Sequence, residues 1–262
     1  MVIEPTGHFL YAWMRPNSAA PPVIQGFSIN ASTGALTPLP DPVPAGGGIE
    51  IAMTPDGRYL YMSEDTGIRG YQLNSSTGAL TPIPGSPFNH LSLGDRILIS
   101  RVIVHPSGKF LYANGSRLPS DGGDWMFLGF RIDPATGALT QLPDSPYLNS
   151  LNFQQLLVPD PNGNFIYGTT NFRKNMASFS VNTSTGTLSA SGKSVPNTAF
   201  HEGESAIIDR SGHFLFYGSF AGVDVFKLDG SGGISPVPNS VGGHPLVESD
   251  DFTHSMAVTH LP

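Results

Sequence analysis

The sequence predicts an all-β chain of radially repeated four-stranded blades, a β-propeller. Two observations carry that expectation. The first is a Pro-x-Gly phrase that recurs five times, its clearest copy being Val102-Ile-Val-His-Pro-Ser-Gly-Lys-Phe-Leu-Tyr-Ala-Asn114. The others are IEPTGHFLYAW from Ile3, MTPDGRYLYMS from Met53, PDPNGNFIYGT from Pro159 and IDRSGHFLFYG from Ile208. Their glycines (Gly7, Gly57, Gly108, Gly163 and Gly212) are spaced 50, 51, 55 and 49 residues apart. A period near fifty with strand-like content marks a repeat architecture. The second observation is a companion phrase in each repeat: GFSINASTGALTPLP from Gly26, GYQLNSSTGALTPIP from Gly70, GFRIDPATGALTQLP from Gly129, ASFSVNTSTGTLSAS from Ala177 and a shortened DVFKLDGSGGISPVP from Asp224.

Taken in order, each repeat yields four strands. The first runs into the Pro-x-Gly turn and the second is the FLYA-like segment after it. The third alternates apolar and polar residues, as in Phe27-Ser-Ile29 and Phe130-Arg-Ile132, which places the apolar residues on one face. The fourth follows the Thr-Gly turn, where glycine supplies the positive φ that closes a hairpin. Four antiparallel strands per repeat make a propeller blade. No helical periodicity of useful length appears. The blades are expected at about 1–48, 49–99, 100–153, 154–203 and 204–252 of one domain, 1–262, with 253–262 as a closing strand. His254 to His260 has the alternation of a first strand, and the first blade has only a short stub of its own at Met1–Ile3. Pairing of that segment with the first blade would remove an open edge.

Composition limits the function. The 262 residues carry a net charge of −7 and only 13% charged side chains. Without a basic stripe, nucleic acid is not an expected partner. There is no cysteine, which excludes disulfides, thiol nucleophiles and Cys-ligated zinc. No apolar run is long enough for a transmembrane helix, so no membrane partner is expected. The compartment is left open by the sequence: cytoplasmic, or secreted or periplasmic if a signal peptide was removed. Low charge and four Asn-x-Ser/Thr sites (Asn30, Asn74, Asn114 and Asn182) suit the latter.

The residues entering the innermost strands form a ring at one channel mouth. By alignment these are Glu50, Arg101, Gln155, Glu204 with Ser205, and His254, with His201 and Glu202 slightly earlier. Arg101 suits a carboxylate or phosphate, and Glu204 or His201 suits acid–base work; a hydrated polar mouth without substrate is the alternative. No cofactor is expected. The one exception the residues would accommodate is a divalent metal in the channel, on His201-Glu-Gly-Glu204 with His254. Asp121-Gly-Gly-Asp124 and Glu248-Ser-Asp-Asp251 read as solvated turns. Glu4, Thr54, His105, Asp160 and Asp209 share the position before the Pro-x-Gly turn and read as turn caps. Trp13 and Trp125 follow second strands, where an aromatic ring either packs or stacks on a sugar. No G-x-S-x-G elbow, G-x-G-x-x-G or P-loop is present.

The phrases PDGRYLY, YQLNSSTGAL and PGSPF resemble the lactonase-type β-propellers, the 6-phosphogluconolactonase-like group, and the related YVTN-repeat propellers. The resemblance extends over Val2 to Pro238. It implies a fold that is usually seven-bladed, against five repeats here, and an activity of lactone hydrolysis with His, Arg and Glu side chains at the channel mouth. In this chain those are Arg101, His201, Glu204 and His254 as catalytic candidates, with Glu50, Gln155 and Glu202 as ligand-binding ones. The family's Asp-Leu-Gly-x-Asp run has only a loose echo in Ser219-Phe-Ala-Gly-Val-Asp224. Three functions therefore stand at this point: a ligand-binding or interaction scaffold, a lactone hydrolase or lactonising enzyme, and a partial propeller that needs further blades or self-association. The partner expected is a small molecule, carbohydrate or lactone.

Overall fold

A computed structural model describes residues 1–17, 19–47, 50–64, 67–88, 96–118, 125–148, 153–170, 175–196, 203–219 and 222–238. The expected closing strand at 253–262 lies outside these residues. The described residues form five antiparallel sheets and no helix. The chain divides into two compact units, Met1–Tyr147 and Leu148–Pro262.

The first unit holds three blades. Blade 1 is β1 (Val2–Ile3), β2 (Phe9–Met14), β3 (Val23–Ile29) and β4 (Leu36–Pro38), with a short β5 (Val43–Pro44) also on β3. Blade 2 is β6 (Ile51–Met53), β7 (Tyr59–Glu64), β8 (Gly67–Leu73) and β9 (Leu80–Pro82). Blade 3 is β10 (Arg96–Val104), β11 (Phe110–Leu118), β12 (Trp125–Ile132) and β13 (Leu139–Gln141), with β14 (Tyr147–Leu148) beside β12. The second unit holds blade 4, β15 (Phe153–Pro159), β16 (Phe165–Thr170), β17 (Asn175–Val181) and β18 (Leu188–Pro196). It also holds blade 5, β19 (Gly203–Ile208), β20 (Phe214–Ser219), β21 (Gly222–Leu228) and β22 (Ile234–Pro236). Every blade has the expected linear order of four strands.

Local chemistry explains both turns. At the Pro-x-Gly turn the preceding side chain accepts from the turn amides: Glu4 from Thr6 (2.8 Å) and His8 (2.6 Å), Asp160 from Asn164 (2.7 Å), Asp209 from Phe214 (2.7 Å). At the Thr-Gly turn, Asn30, Asn74, Asp133 and Asn182 each use Oδ1 to accept two amides at 2.8–3.1 Å. Three of the four Asn-x-Ser/Thr sites are thus turn caps, and the fourth, Asn114, is buried in β11.

The core lies between blades rather than within them. The two faces of β7 serve different neighbours: Leu60 and Met62 pack with Phe9, Tyr11 and Ile24 of blade 1, while Tyr59 and Tyr61 pack with Leu111, Met126 and Phe130 of blade 3. A strand buried on both faces has no polar side to show, which is why Tyr59 to Met62 of β7 form an unbroken apolar and aromatic run. In blades 2 and 3 the Thr-Gly turn lies on the second strand of the blade before it. The Tyr11 hydroxyl donates to the Gly78 carbonyl and the Tyr61 hydroxyl to that of Gly137, both at 2.7 Å. A β-carbon on Gly137 would stand 2.4 Å from the Tyr59 ring. In the second unit the Gly232 turn lies against Phe165, and its carbonyl accepts from Ser178 at 2.7 Å.

Candidate functional site

The inner strands enter from the end opposite the Pro-x-Gly turns. In blade 2 that end is marked by Glu50, whose carbonyl accepts from the Ser63 amide (3.2 Å) just before β6 pairs with β7. In blade 3 the equivalent position is Arg101, opposite Asn114 of β11. Neighbouring blades set these positions side by side, and Arg101 Nη1 donates to Glu50 Oε2 at 2.9 Å. The pair is partly shielded, with side-chain exposures of 19% and 35%. Burial raises the Glu50 carboxyl above the ordinary glutamate range, and the guanidinium of Arg101 offsets only part of that rise.

A β-bulge at Ser100 shapes the rest of the site. The register of β10 on β11 shifts between Ile99 and Arg101, which turns Ser100 toward Asn114. Ser100 Oγ donates to Asn114 Oδ1 at 2.9 Å, and Ser63 Oγ donates to the Ser100 carbonyl at 3.3 Å. Asn114 Nδ2 is buried with no hydrogen-bond partner. One strand further out on the same end of blade 2, Arg69 Nε donates to Glu64 Oε1. Burial lowers the Arg69 pKa, but the charge and hydrogen bond of Glu64 outweigh it and hold the guanidinium firmly protonated. Trp13 is half-buried against the core shared by blades 1 and 2 and donates through Nε1 to the Gly46 carbonyl (3.4 Å).

Of the residues expected at the mouth, Glu50 and Arg101 are thus brought together. Gln155 and Glu204 lie in the inner strands β15 and β19 of the second unit. The same kind of register shift occurs there, between Phe153 and Leu157 and between Gly203 and Ser205. Ser205 pairs with Gly218 as Arg101 does with Asn114, so Glu204 occupies the bulge position that Ser100 has in blade 3. His201, Glu202 and His254 lie outside the described residues, as do Asp121, Asp124 and Glu248 to Asp251. The pair Glu64–Arg69 and the bulged Ser100 escaped the sequence reading; the hairpin implied by Glu64-Asp-Thr-Gly-Ile-Arg69 was the available signal for the former. Among the described residues, no group of three or more His, Cys, Asp or Glu is placed to hold a metal ion.

The five antiparallel sheets agree with a family match over residues 50–200, to the model described as Lactonase, 7-bladed beta-propeller. The chain belongs to the lactonase family of seven-bladed β-propellers. Among solved structures, this lactonase-family chain is similar to a functionally unknown protein from Desulfotomaculum acetoxidans, with 18% identity and a TM-score of 0.67 over 93% of this chain and 72% of that one. It is also similar to a provisionally assigned 6-phosphogluconolactonase from Bacteroides uniformis (16% identity, TM-score 0.60, 94% and 86% covered). A third is a periplasmic gluconolactonase of Pseudomonas aeruginosa (14% identity, TM-score 0.53, 92% and 85% covered). These likenesses show a shared fold. A calcium-binding regucalcin from Agrobacterium tumefaciens has the same kind of fold at 14% identity and a TM-score of 0.51, over 91% of this chain and 73% of that one. Among curated proteins, none matches this sequence.

Proposed function

We propose that the inner-strand mouth at Glu50 and Arg101 binds a small sugar acid or its lactone. The observation that carries this reading is the half-buried Arg101–Glu50 pair, set across two blades with a carboxyl pushed upward by burial. A guanidinium is a fork for carboxylate and carbonyl oxygens. Glu50 occupies that fork in the free protein, so a ligand carboxylate competes with it. A Glu50 carboxyl that takes up a proton competes less for the guanidinium, and binding of an acid therefore tightens as pH falls through the titration of Glu50. Calorimetric titration with gluconate is the test. Arg101→Ala should weaken binding at least about tenfold, as loss of a charge-assisted contact does. Glu50→Gln should bind gluconate at least as well as the parent and lose the pH dependence. Unchanged affinity in Arg101→Ala removes this mouth from ligand binding.

Hydrolysis at the same end is the second reading, favoured by the family match and by the raised Glu50 carboxyl. In it Arg101 polarises the lactone carbonyl and a carboxylate takes a proton from the attacking water. The ring C–O bond then breaks, the ring oxygen takes that proton from the carboxyl, and the product is the hydroxy acid. Acid release from glucono-lactone in a pH-stat checks it. Arg101→Ala and Glu50→Gln should each lower turnover by about tenfold or more. No turnover by the parent chain leaves the binding reading alone.

A further inference from the structure

Glu50 and Arg101 come from different blades, and their backbones must be held in step for the two side chains to meet. Ile51 pairs with Met62, so Glu50 lies opposite Ser63 of β7, and the Ser63 amide donates to the Glu50 carbonyl at 3.2 Å. Arg101 lies opposite Asn114 of β11 in the same way. Side chains directly opposite each other on an antiparallel pair share a face. On β7 that face is turned to blade 3, because Tyr61, two residues before Ser63, packs with Leu111 and Met126. Ser63 is buried there, and its hydroxyl crosses to blade 3 and donates to the Ser100 carbonyl at 3.3 Å. That carbonyl belongs to the peptide joining Ser100 to Arg101. Ser100 is the residue left over by the register shift, and a bulged residue falls outside the regular ladder. Its own hydroxyl is fixed within blade 3, on Asn114 Oδ1 at 2.9 Å.

We infer that Ser63 is a positioning residue for the mouth: it registers Arg101 on Glu50 across the two blades and so presets the guanidinium for a ligand carboxylate. The inference rests on the reading of Glu50 and Arg101 as a ligand site, and Ser63 acts through Arg101 without touching the ligand. Four residues close a circuit. Glu50 is joined to Ser63 by the amide, Ser63 to Ser100 by the hydroxyl, Ser100 to Arg101 by the chain, and Arg101 to Glu50 by the ion pair at 2.9 Å. An arginine side chain loses much rotamer freedom when it is held in one geometry. Fixing the peptide at its root lowers what remains to be ordered when a ligand binds. The cross-blade bond also explains why a polar side chain follows the buried run Tyr59 to Met62, since a buried hydroxyl needs a partner.

Calorimetric titration of the full chain with gluconate, and a carboxyl-carbon NMR titration of Glu50 without ligand, test this. Ser63→Ala keeps the amide bond, removes the hydroxyl and barely changes the buried volume. It should weaken gluconate binding about fivefold, the effect of one neutral hydrogen bond. It should also move the Glu50 midpoint upward, because the guanidinium that draws it down is held less closely. Ser63→Thr keeps the hydroxyl, and threonine is already buried at the corresponding place of blade 4, as Thr169. This variant should restore the midpoint and bring affinity to within about twofold of the parent. In an Arg101→Ala background, Ser63→Ala should change neither quantity further, whereas a general loosening of the fold would act in both backgrounds alike. An unmoved Glu50 midpoint in Ser63→Ala, or equal weakening in both backgrounds, would overturn the inference. Weakened binding in Arg101→Ala with unchanged binding in Ser63→Ala would overturn it while leaving the ligand site in place. A midpoint that moves in Ser63→Ala while Arg101→Ala binds gluconate like the parent would keep Ser63 as the registering residue and remove the ligand reading instead.

Discussion

Glu4 and Glu50 sit at opposite ends of the inner strands, and the same side chain has opposite physics at the two ends. Glu4 stands where the chain turns back on itself. Its carboxylate accepts from the amides of Thr6, His8 and Phe9, all within five residues of it. Burial alone would raise its pKa, but those hydrogen bonds and one from the Thr6 hydroxyl outweigh burial and hold it below the ordinary value. Glu50 stands where the strands begin. Its partner is 51 residues away in the next blade, and burial wins there over the attraction of Arg101. An end stitched by its own backbone holds the blade together. An end whose partner comes from a neighbouring blade has a contact that a ligand can replace.

The largest effect should come from cutting the stitched end. Glu4→Ala leaves partly or fully buried amides without their acceptor, and each such group costs about 1–3 kcal/mol. A total loss of about 2–4 kcal/mol is expected, read as a lowered midpoint in urea, with Glu4→Gln recovering part of it because its carbonyl oxygen still accepts. A midpoint unchanged in Glu4→Ala would erase the distinction between the two ends.

Acidification should separate the ends next. The folded-state pKa of Glu4 lies below the ordinary glutamate value of 4.5, so its contribution is complete above that value and is lost as pH falls through the depressed one. Asp209, similarly capped in blade 5, has the same sign below the ordinary aspartate value of 3.8. Glu50 has the reverse sign: its folded-state pKa is raised, so the ionised form costs stability as pH rises through the window above 4.5. Stability measured from neutral pH down into the acid range should fall less in Glu4→Gln than in the parent. The Glu50→Gln difference should grow toward neutral pH. Parallel profiles for the two variants would contradict the assignment.

The smallest effect should be the coupling of Glu50 and Arg101 in the unliganded protein. For a partly exposed pair, a double-mutant cycle with Glu50→Gln and Arg101→Gln should return about 0.5–1 kcal/mol. That modest figure, set beside the tenfold or larger loss of gluconate binding expected for Arg101→Ala, would mark the pair as a binding element rather than a fold-holding one. A coupling of several kcal/mol would make it structural.

Much of the fold was legible because its signals are local. The Pro-x-Gly and Thr-Gly turns need particular residues within five positions of each other, so Glu4, Asp160, Asp209 and the Asn30-type caps announce themselves. Arg101 and Glu50 were recognisable as inner-strand residues by counting from the turn glycines, but their mutual contact depends on how adjacent blades lie. Counting back from the turn glycines sets Ser205 at the place of Arg101 and Glu204 at that of Ser100; only the register shows that the latter place is a bulge.

The near-identical turns Asn30-Ala-Ser-Thr-Gly-Ala-Leu36 and Asn74-Ser-Ser-Thr-Gly-Ala-Leu80 mark where local sequence stops deciding. Both form the same turn, with the asparagine accepting two amides and the glycine at positive φ (71° and 76°), because that geometry is set by the residues themselves. Yet a β-carbon on Gly78 would strike the rings and methyls of Phe9 and Leu39 at 2.6 Å, and one on Gly34 would meet nothing. Burial belongs to the neighbour that covers a surface, and a turn does not encode its neighbour. The sequence by itself determined the blades and their turns; tertiary structure alone decided which turn is core and which is surface, and that Arg101 meets Glu50.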